Sequence, residues 1–470
     1  MAVAEQPPSA VAASPGPAPA SADAADGLGL SAATALVVGS IVGVGIFNLP
    51  TSLAAFGPIS LVSMGLTTIG AIALAVLFAM LSRRMPADGG PYAYARVAFG
   101  DRIGFGSAWS YWITAWAGNA AIAVGWVLYL EVFVNTGHDK LWSMLLVLAG
   151  LWLPALINLS GVKNVGAVQI ATTVLKFAAL AFMATVGLFY VDSANFTPFN
   201  ASGGSALGAV GGGMAIALFS YLGVETASVA AAKVRDPKRN VPRATILGTL
   251  ATAVVYVLAL VAVFGILPAG ELAEASAPFS SAVDAMFGGT LWGYGIAAVV
   301  VVSGFGALNG WTLITAEVPL AAARDGVFPG RFKALNARGV PAYGIVASTA
   351  LASLAIVVNF LGSSGVTVFT TLVLMTGITS AIPYLLSALA QMKWRLTDRR
   401  ELETARFVRD MIVAGLVVIF SALFIWYSRY TGEGFWIYWA PFFLTVVAFA
   451  LGVPVYRAER RTMTAPSRDR

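Results

Sequence analysis

The sequence predicts an all-helical protein that crosses a membrane twelve times, and three observations carry that reading. Hydrophobic residues make up 58% of the 470-residue chain and charged residues only 11%, with a mean hydropathy of +0.82. A soluble domain carries roughly a quarter charged residues. Apolar segments of the ~20 residues that a spanning helix needs follow one another with short polar breaks. Basic residues gather in alternate breaks, as they do in polytopic proteins. The ~10-residue alternating segments of a membrane β-barrel do not occur.

Along the chain, residues 1–27 are rich in Ala, Pro and Ser and contain no Lys or Arg. They lack the compact apolar core of a signal peptide, so residues 1–30 are read as a disordered cytoplasmic tail. A transporter domain is expected over 31–455, followed by a short cytoplasmic tail over 456–470. The first five spans are placed at 31–56, 60–81, 103–133, 141–160 and 165–190, the next five at 207–231, 244–266, 289–322, 342–361 and 367–391, and the last two at 411–428 and 434–454. Spans that exceed ~20 residues imply tilt, breaks or helical ends that protrude into the interface.

With the N-terminus inside, the cytoplasmic segments hold 25 of the 28 basic residues, including Lys163, Arg468 and Arg470. The outside segments then hold only Lys140 and Arg429. Reversing the orientation would violate the positive-inside bias in every loop. The sequence pI near 9.5 therefore reports orientation and not a nucleic-acid partner.

The same counting removes most catalytic chemistries. There are no cysteines, so disulfides, thiolate catalysis and Cys-based metal sites are excluded. The one histidine, His138, sits in a short polar stretch between apolar runs, and no metal or cofactor site is expected. A membrane-embedded enzyme would need an assembled set of His, Cys, Asp or Glu, and the sequence offers none.

Ionisable residues inside a span are costly and usually face a cavity or a partner. Lys176 falls in the fifth span, Glu225 in the sixth and Glu317 in the eighth, with Glu131 near the outer end of the third. Lys176 suits a tether to the carbonyls of a broken helix, and a role in proton handling is compatible with that.

The first span carries Gly39, Gly43 and Gly45, two of them flanking Val44, with Pro50 shortly after. The sixth carries Gly211-Gly212-Gly213 and then the polar stretch ending at Glu225. Each glycine weakens a helix by ~1 kcal/mol relative to Ala and lets the backbone approach a ligand. Glycines also serve close helix packing. Their recurrence in the first and sixth positions fits two five-span inverted repeats, at 31–190 and 207–391, whose broken helices bind substrate near the midplane. Free amides at a half-helix start attract a carboxylate, and freed carbonyls at a half-helix end attract an ammonium. That chemistry suits an amino acid.

The stretches Ala35–Pro50, Asp88–Arg96, Gly223–Thr245 and Ala321–Pro329 together resemble the amino acid–polyamine–organocation superfamily, within it the basic amino acid/polyamine antiporter branch. The resemblance runs from about residue 30 to 455. It implies the LeuT-type fold, with two five-span inverted repeats and two peripheral helices. It also implies that the substrate carboxylate meets amides around Gly43, Val44 and Gly45, and its ammonium the carbonyls of Ile41, Phe219 and Leu222. By the same resemblance Asn119 contacts the substrate side chain and Trp311 covers the pocket, where it can stack on a guanidinium. Tyr111, Ile122, Thr376 and Tyr384 match lining or gating positions, and Glu225 a gating glutamate associated with proton response. Lys176 resembles the fifth-span lysine of sodium-independent members, whose ammonium would repel sodium.

Two residues depart from the arginine:agmatine pattern: Val44 stands in place of serine and Phe219 in place of tryptophan. The side-chain preference stays open accordingly. The expectation is a sodium-independent amino acid antiporter or proton-coupled permease of the inner membrane, favouring arginine, lysine or ornithine, with a broad neutral amino acid permease as the alternative. Its partners are the solute, the lipid bilayer and, as far as the resemblance goes, protons and a second copy in a homodimer. A channel or a solute sensor on the same fold would be separated from it by flux.

Overall fold

The computed structural model describes residues 28–86, 89–161, 165–401, 403–429 and 435–464. The expected tail at 1–27, Asp88, Lys163, Arg468 and Arg470 lie outside these. Among the described residues the chain is helical, apart from one bridge between Leu28 and Val234.

The first half comprises α1 (Leu30–Ile41), α2 (Gly45–Ala54), α3 (Ser60–Arg84), α4 (Pro91–Phe99), α5 (Asp101–Val134), α6 (Lys140–Leu159) and α7 (Val165–Thr185). The second comprises α8 (Ala206–Ala217), α9 (Thr226–Val229), α10 (Pro237–Ile266), α11 (Ala269–Glu274), α12 (Pro278–Phe287), α13 (Leu291–Arg324), α14 (Ala342–Phe360) and α15 (Gly365–Thr397). Two further helices, α16 (Thr404–Tyr427) and α17 (Phe435–Thr464), close the chain. Eleven segments are long and apolar enough to cross a membrane, with α1 and α2 counted as one; the shorter apolar stretch Ala206–Tyr221 is the twelfth.

Several helices outrun their predicted ends. The seventh span begins at Pro237 and not at 244, the tenth runs to Thr397 and not 391, the eleventh begins at Thr404, and the last continues to Thr464. Hydropathy registers only the turns that face hydrocarbon, and a helix need not stop where its apolar stretch stops. Three short helices, α4, α11 and α12, escaped the sequence reading. For α4 and α12 the signals were present as Pro in the first turn, Pro91 and Pro278, with Gly100 and Gly288 just past the end.

The core is built on α5 and α15. In their apolar windows 78% of residues are buried, against 17% in α17 at the periphery. Small residues set the closest approaches, as expected where lipid offers no hydrophobic drive between helices. Gly248 of α10 lies against Val37 of α1, Gly213 of α8 against Ser63 of α3, and Gly304 of α13 against Val44.

The two ends of the molecule differ. At one, Thr51 donates to the Ala275 carbonyl at 2.5 Å, Ser52 and Thr370 share a hydrogen bond of 3.0 Å, and the rings of Phe47 and Phe279 meet edge to face. Tyr129 knits these together by donating to the Phe47 carbonyl and accepting from the Phe279 amide. This end is closed. The other end carries the arginine-rich loops and is joined by the pairs Arg84–Asp398 and Arg96–Asp325. From there a cavity of about 310 Å³ runs inward to Trp311.

Candidate functional site

Both predicted breaks exist, and they face each other. The first runs from Val42 to Val44, between α1 and α2. Val42 still bonds back to Val38, but the Gly43 amide turns onto the Ile41 carbonyl at 2.8 Å. The amides of Val44 and Gly45 then have no acceptor among the described residues. They sit at the start of α2, where the helix dipole favours negative charge.

The second break follows the 3₁₀ turn Leu218–Tyr221 and precedes α9. It turns on Gly223, whose φ is +104°, a value that side-chain-bearing residues avoid. A Cβ there would lie 2.8 Å from the backbone of Ser40, so this glycine lets the two breaks touch. Gly223→Ala is expected to destabilise the fold by ~2–3 kcal/mol from backbone strain and overpacking. A lower melting temperature in detergent checks this; an unchanged melt would contradict it.

Between the breaks lies a cavity of about 20 Å³ lined by Ile41, Gly43, Gly45, Ile122, Phe219, Leu222 and Trp311, with Ser40, Gly118 and Ser220. It meets the larger vestibule at Ser40 and Trp311, which line both. The Phe219 ring rests on Gly45, where a Cβ would lie 2.6 Å from it, and abuts Phe369 edge to face at 5.9 Å. Trp311 is buried, with 5% of its surface exposed. The cavity is much smaller than the ~300 Å³ of typical ligand pockets, and the Phe219 ring forms part of its wall.

The expected ammonium acceptors are differently engaged. The Ile41 carbonyl accepts from Gly43 N–H and from Tyr256 O–H at 2.9 Å, which uses both its lone pairs. The Phe219 carbonyl accepts one long bond from the Leu222 amide at 3.3 Å. The Leu222 carbonyl accepts none among the described residues. Asn119 donates to Thr312 at 3.2 Å, one residue from Trp311, and its own side-chain oxygen is buried without a partner among the described residues.

Other expected residues lie away from the cavity wall. Val44 packs against Gly304. Thr376 bonds back to the Val373 carbonyl of its own helix at 2.7 Å, the use common for threonine in a helix. Tyr111 and Tyr384 donate to the two carboxylate oxygens of Glu225, at 2.6 and 2.8 Å. This buried clamp ties the second break to α5 and α15. Lys176, fully buried, donates to the Gly39 carbonyl at 3.2 Å. Gly39 is free to accept because the Gly43 amide, its helical partner, has turned away.

Sequence reasoning missed Asn48. Its side-chain nitrogen bonds the carbonyls of Val44 and Gly125, at 3.1 and 3.2 Å, and its oxygen is buried without a partner. An Asn on the first turn after a helix break was the available signal. It also missed how two of the motifs cooperate. Tyr92 and Arg96 of α4 both reach Asp325, at 2.9 Å each. Burial and the Asp325 carboxylate push the Tyr92 phenol well above its usual range, so it holds its proton as a donor. Gly89 meanwhile donates to the Val229 carbonyl, and Ser82 bonds Ser228, which docks α9 onto α3 and α4.

A family model described as amino acid permease matches residues 28–453. The arginine/ornithine antiporter of Pseudomonas aeruginosa is 34% identical over 53% of this chain and 54% of its own length. The cadaverine/lysine antiporter of Escherichia coli is 32% identical over 56% and 59%. The chain thus matches little more than half the length of these two relatives. The putrescine transporter of Haemophilus influenzae is 32% identical over 77% of this chain and 83% of its own. Among solved structures, a sodium-coupled sialic acid symporter in a substrate-bound, outward-open state superimposes with a TM-score of 0.54 at 14% identity, covering 86% of this chain and 91% of that one. That likeness shows the fold alone, the LeuT-type arrangement of five plus five spans with two peripheral helices.

Proposed function

Because the chain belongs to the amino acid permease family, we propose that it carries cationic amino acids such as arginine, lysine or ornithine by alternating access, without sodium, either in exchange for a related amine or with a proton. The observation that carries this reading is the dipolar cavity between the two breaks. The unbonded amides of Val44 and Gly45 suit a carboxylate. The Leu222 carbonyl on the cavity wall offers an acceptor to nitrogen donors, the Asn119 oxygen is a buried acceptor without a partner among the described residues, and the Trp311 ring lines the cavity.

Sodium independence is supported by Lys176, which already satisfies the freed Gly39 carbonyl. The charge distribution supports an inner-membrane orientation with the open, arginine-rich end and both termini cytoplasmic. The substrate would then load from inside in the conformation described. The paired breaks support division into repeats at 31–190 and 207–391.

A second reading, transport of neutral amino acids, is favoured by one fact: among the described residues no carboxylate lines the inner cavity. Exchange in proteoliposomes separates the two. Arginine, lysine or ornithine should exchange for one another or for the corresponding amine, with no need for sodium. Robust alanine flux with none of these cations moving would defeat the cationic reading. Trp311→Ala should weaken binding of a cationic substrate by ~1–2 kcal/mol if the indole stacks on it. An unchanged calorimetric affinity would remove Trp311 from that role.

A further inference from the structure

The vestibule wall carries three charged side chains among the described residues, Lys233, Glu317 and Arg324. Among the described residues Glu317 is its sole carboxylate. It lies on the face of α13 that also presents Ala307, Gly310, Trp311 and Ile314 to the cavity, the spacing of one helical stripe. It stands six positions after Trp311, about 9 Å along the helix. Glu317 thus lines the same cavity as Trp311.

Its partner is Lys233, with Nζ 3.2 Å from Oε1. The lysine side chain is 62% exposed and the glutamate 31%. The Lys233 backbone is held, since its carbonyl accepts from Leu28 at 2.9 Å, but the hydrated ammonium sits on a flexible four-carbon stem. A pair this exposed is weak. Exchanging one ammonium for another at Glu317 therefore costs little.

We propose that Glu317 is a cation subsite of the vestibule and that Lys233 is its resident occupant, displaced by the ammonium or guanidinium of an arriving substrate. A guanidinium would gain a two-pronged contact that Lys233 does not make. Once displaced, the Lys233 ammonium joins Arg324 in facing a substrate carboxylate. A static tether between the loop after α9 and α13 would use the same pair but would not distinguish its two halves. This inference rests on the reading of the chain as a carrier of cationic amino acids or amines.

The two partners should act in opposite directions. In the full-length protein, Glu317→Gln should raise the dissociation constants of arginine and putrescine about fivefold, the scale of a half-exposed pair, with alanine transport unchanged. Lys233→Gln should lower the putrescine constant by a similar factor, because the internal competitor is gone. The double variant should match Glu317→Gln. Melting temperatures in detergent serve as the folding control. If both single variants weaken putrescine alike, or if Glu317→Gln impairs alanine as much as arginine, the pair is a tether and the inference fails. A wild type that moves neither arginine nor putrescine overturns the cationic reading itself. A wild type that moves both, with Glu317→Gln unaltered, overturns this inference alone.

Discussion

Replacing Lys176 with alanine should lower substrate exchange in proteoliposomes by roughly ten- to a hundredfold. The Lys176 Nζ reaches from α7 to the Gly39 carbonyl at 3.2 Å, and that carbonyl sits at the end of α1, just before the first break. Removing the donor from a buried carbonyl costs ~1–3 kcal/mol. Carried by a two-state element, that energy shifts the balance of states by about one to two powers of ten. The variant would also leave a void where the lysine stem was packed. A detergent melt within a few degrees of wild type, together with strongly reduced counterflow, would assign the loss to the conformational cycle. Wild-type flux at every pH would leave Lys176 as packing only.

Glu225→Ala should be comparably severe and for a different reason. Its carboxylate accepts from Tyr111 and Tyr384, and deleting it strands two buried phenols. At ~1–3 kcal/mol for each unsatisfied group, the clamp between the second break, α5 and α15 would come apart. Glu225→Gln is the informative companion. Its amide oxygen can accept from one tyrosine while its NH₂ donates to the other. Recovery of exchange by glutamine would mean that the clamp works through hydrogen bonding. Glutamine as inactive as alanine would mean that the carboxylate's charge or its titration is required. The pH profile of the wild type separates these, since a titrating carboxylate would make exchange depend on pH and a fixed charge would not.

Much of the membrane architecture was legible in the sequence. Each predicted span corresponds to a helical segment, because the bilayer imposes length and apolarity on each segment separately. Helix ends in the charged loops were not legible, as the early start of α10 at Pro237 and the late end of α15 at Thr397 demonstrate. Beyond the hydrocarbon, hydropathy no longer reports on the backbone.

The candidate site was legible in outline and not in detail. Gly43 and Gly45 marked one break and the run to Glu225 the other, since only glycine permits such backbone locally. What each group bonds to was hidden. The Ile41 carbonyl, expected to await an ammonium, accepts from Tyr256, 215 residues away. Thr376 turns to its own helix. Glu317 stood out as an acid in a span, but its Lys233 partner is 84 residues distant.

The sequence by itself determined the class, the number and order of the spans, and the two places where a helix must break. These follow from apolarity, charge bias and glycine, which act over a few residues at a time. Only the tertiary structure decided which end is open, which amides and carbonyls remain unbonded, and which tyrosines hold Glu225. Those are outcomes of packing between helices far apart in the chain, where burial forces each polar group to find whatever partner the fold brings near.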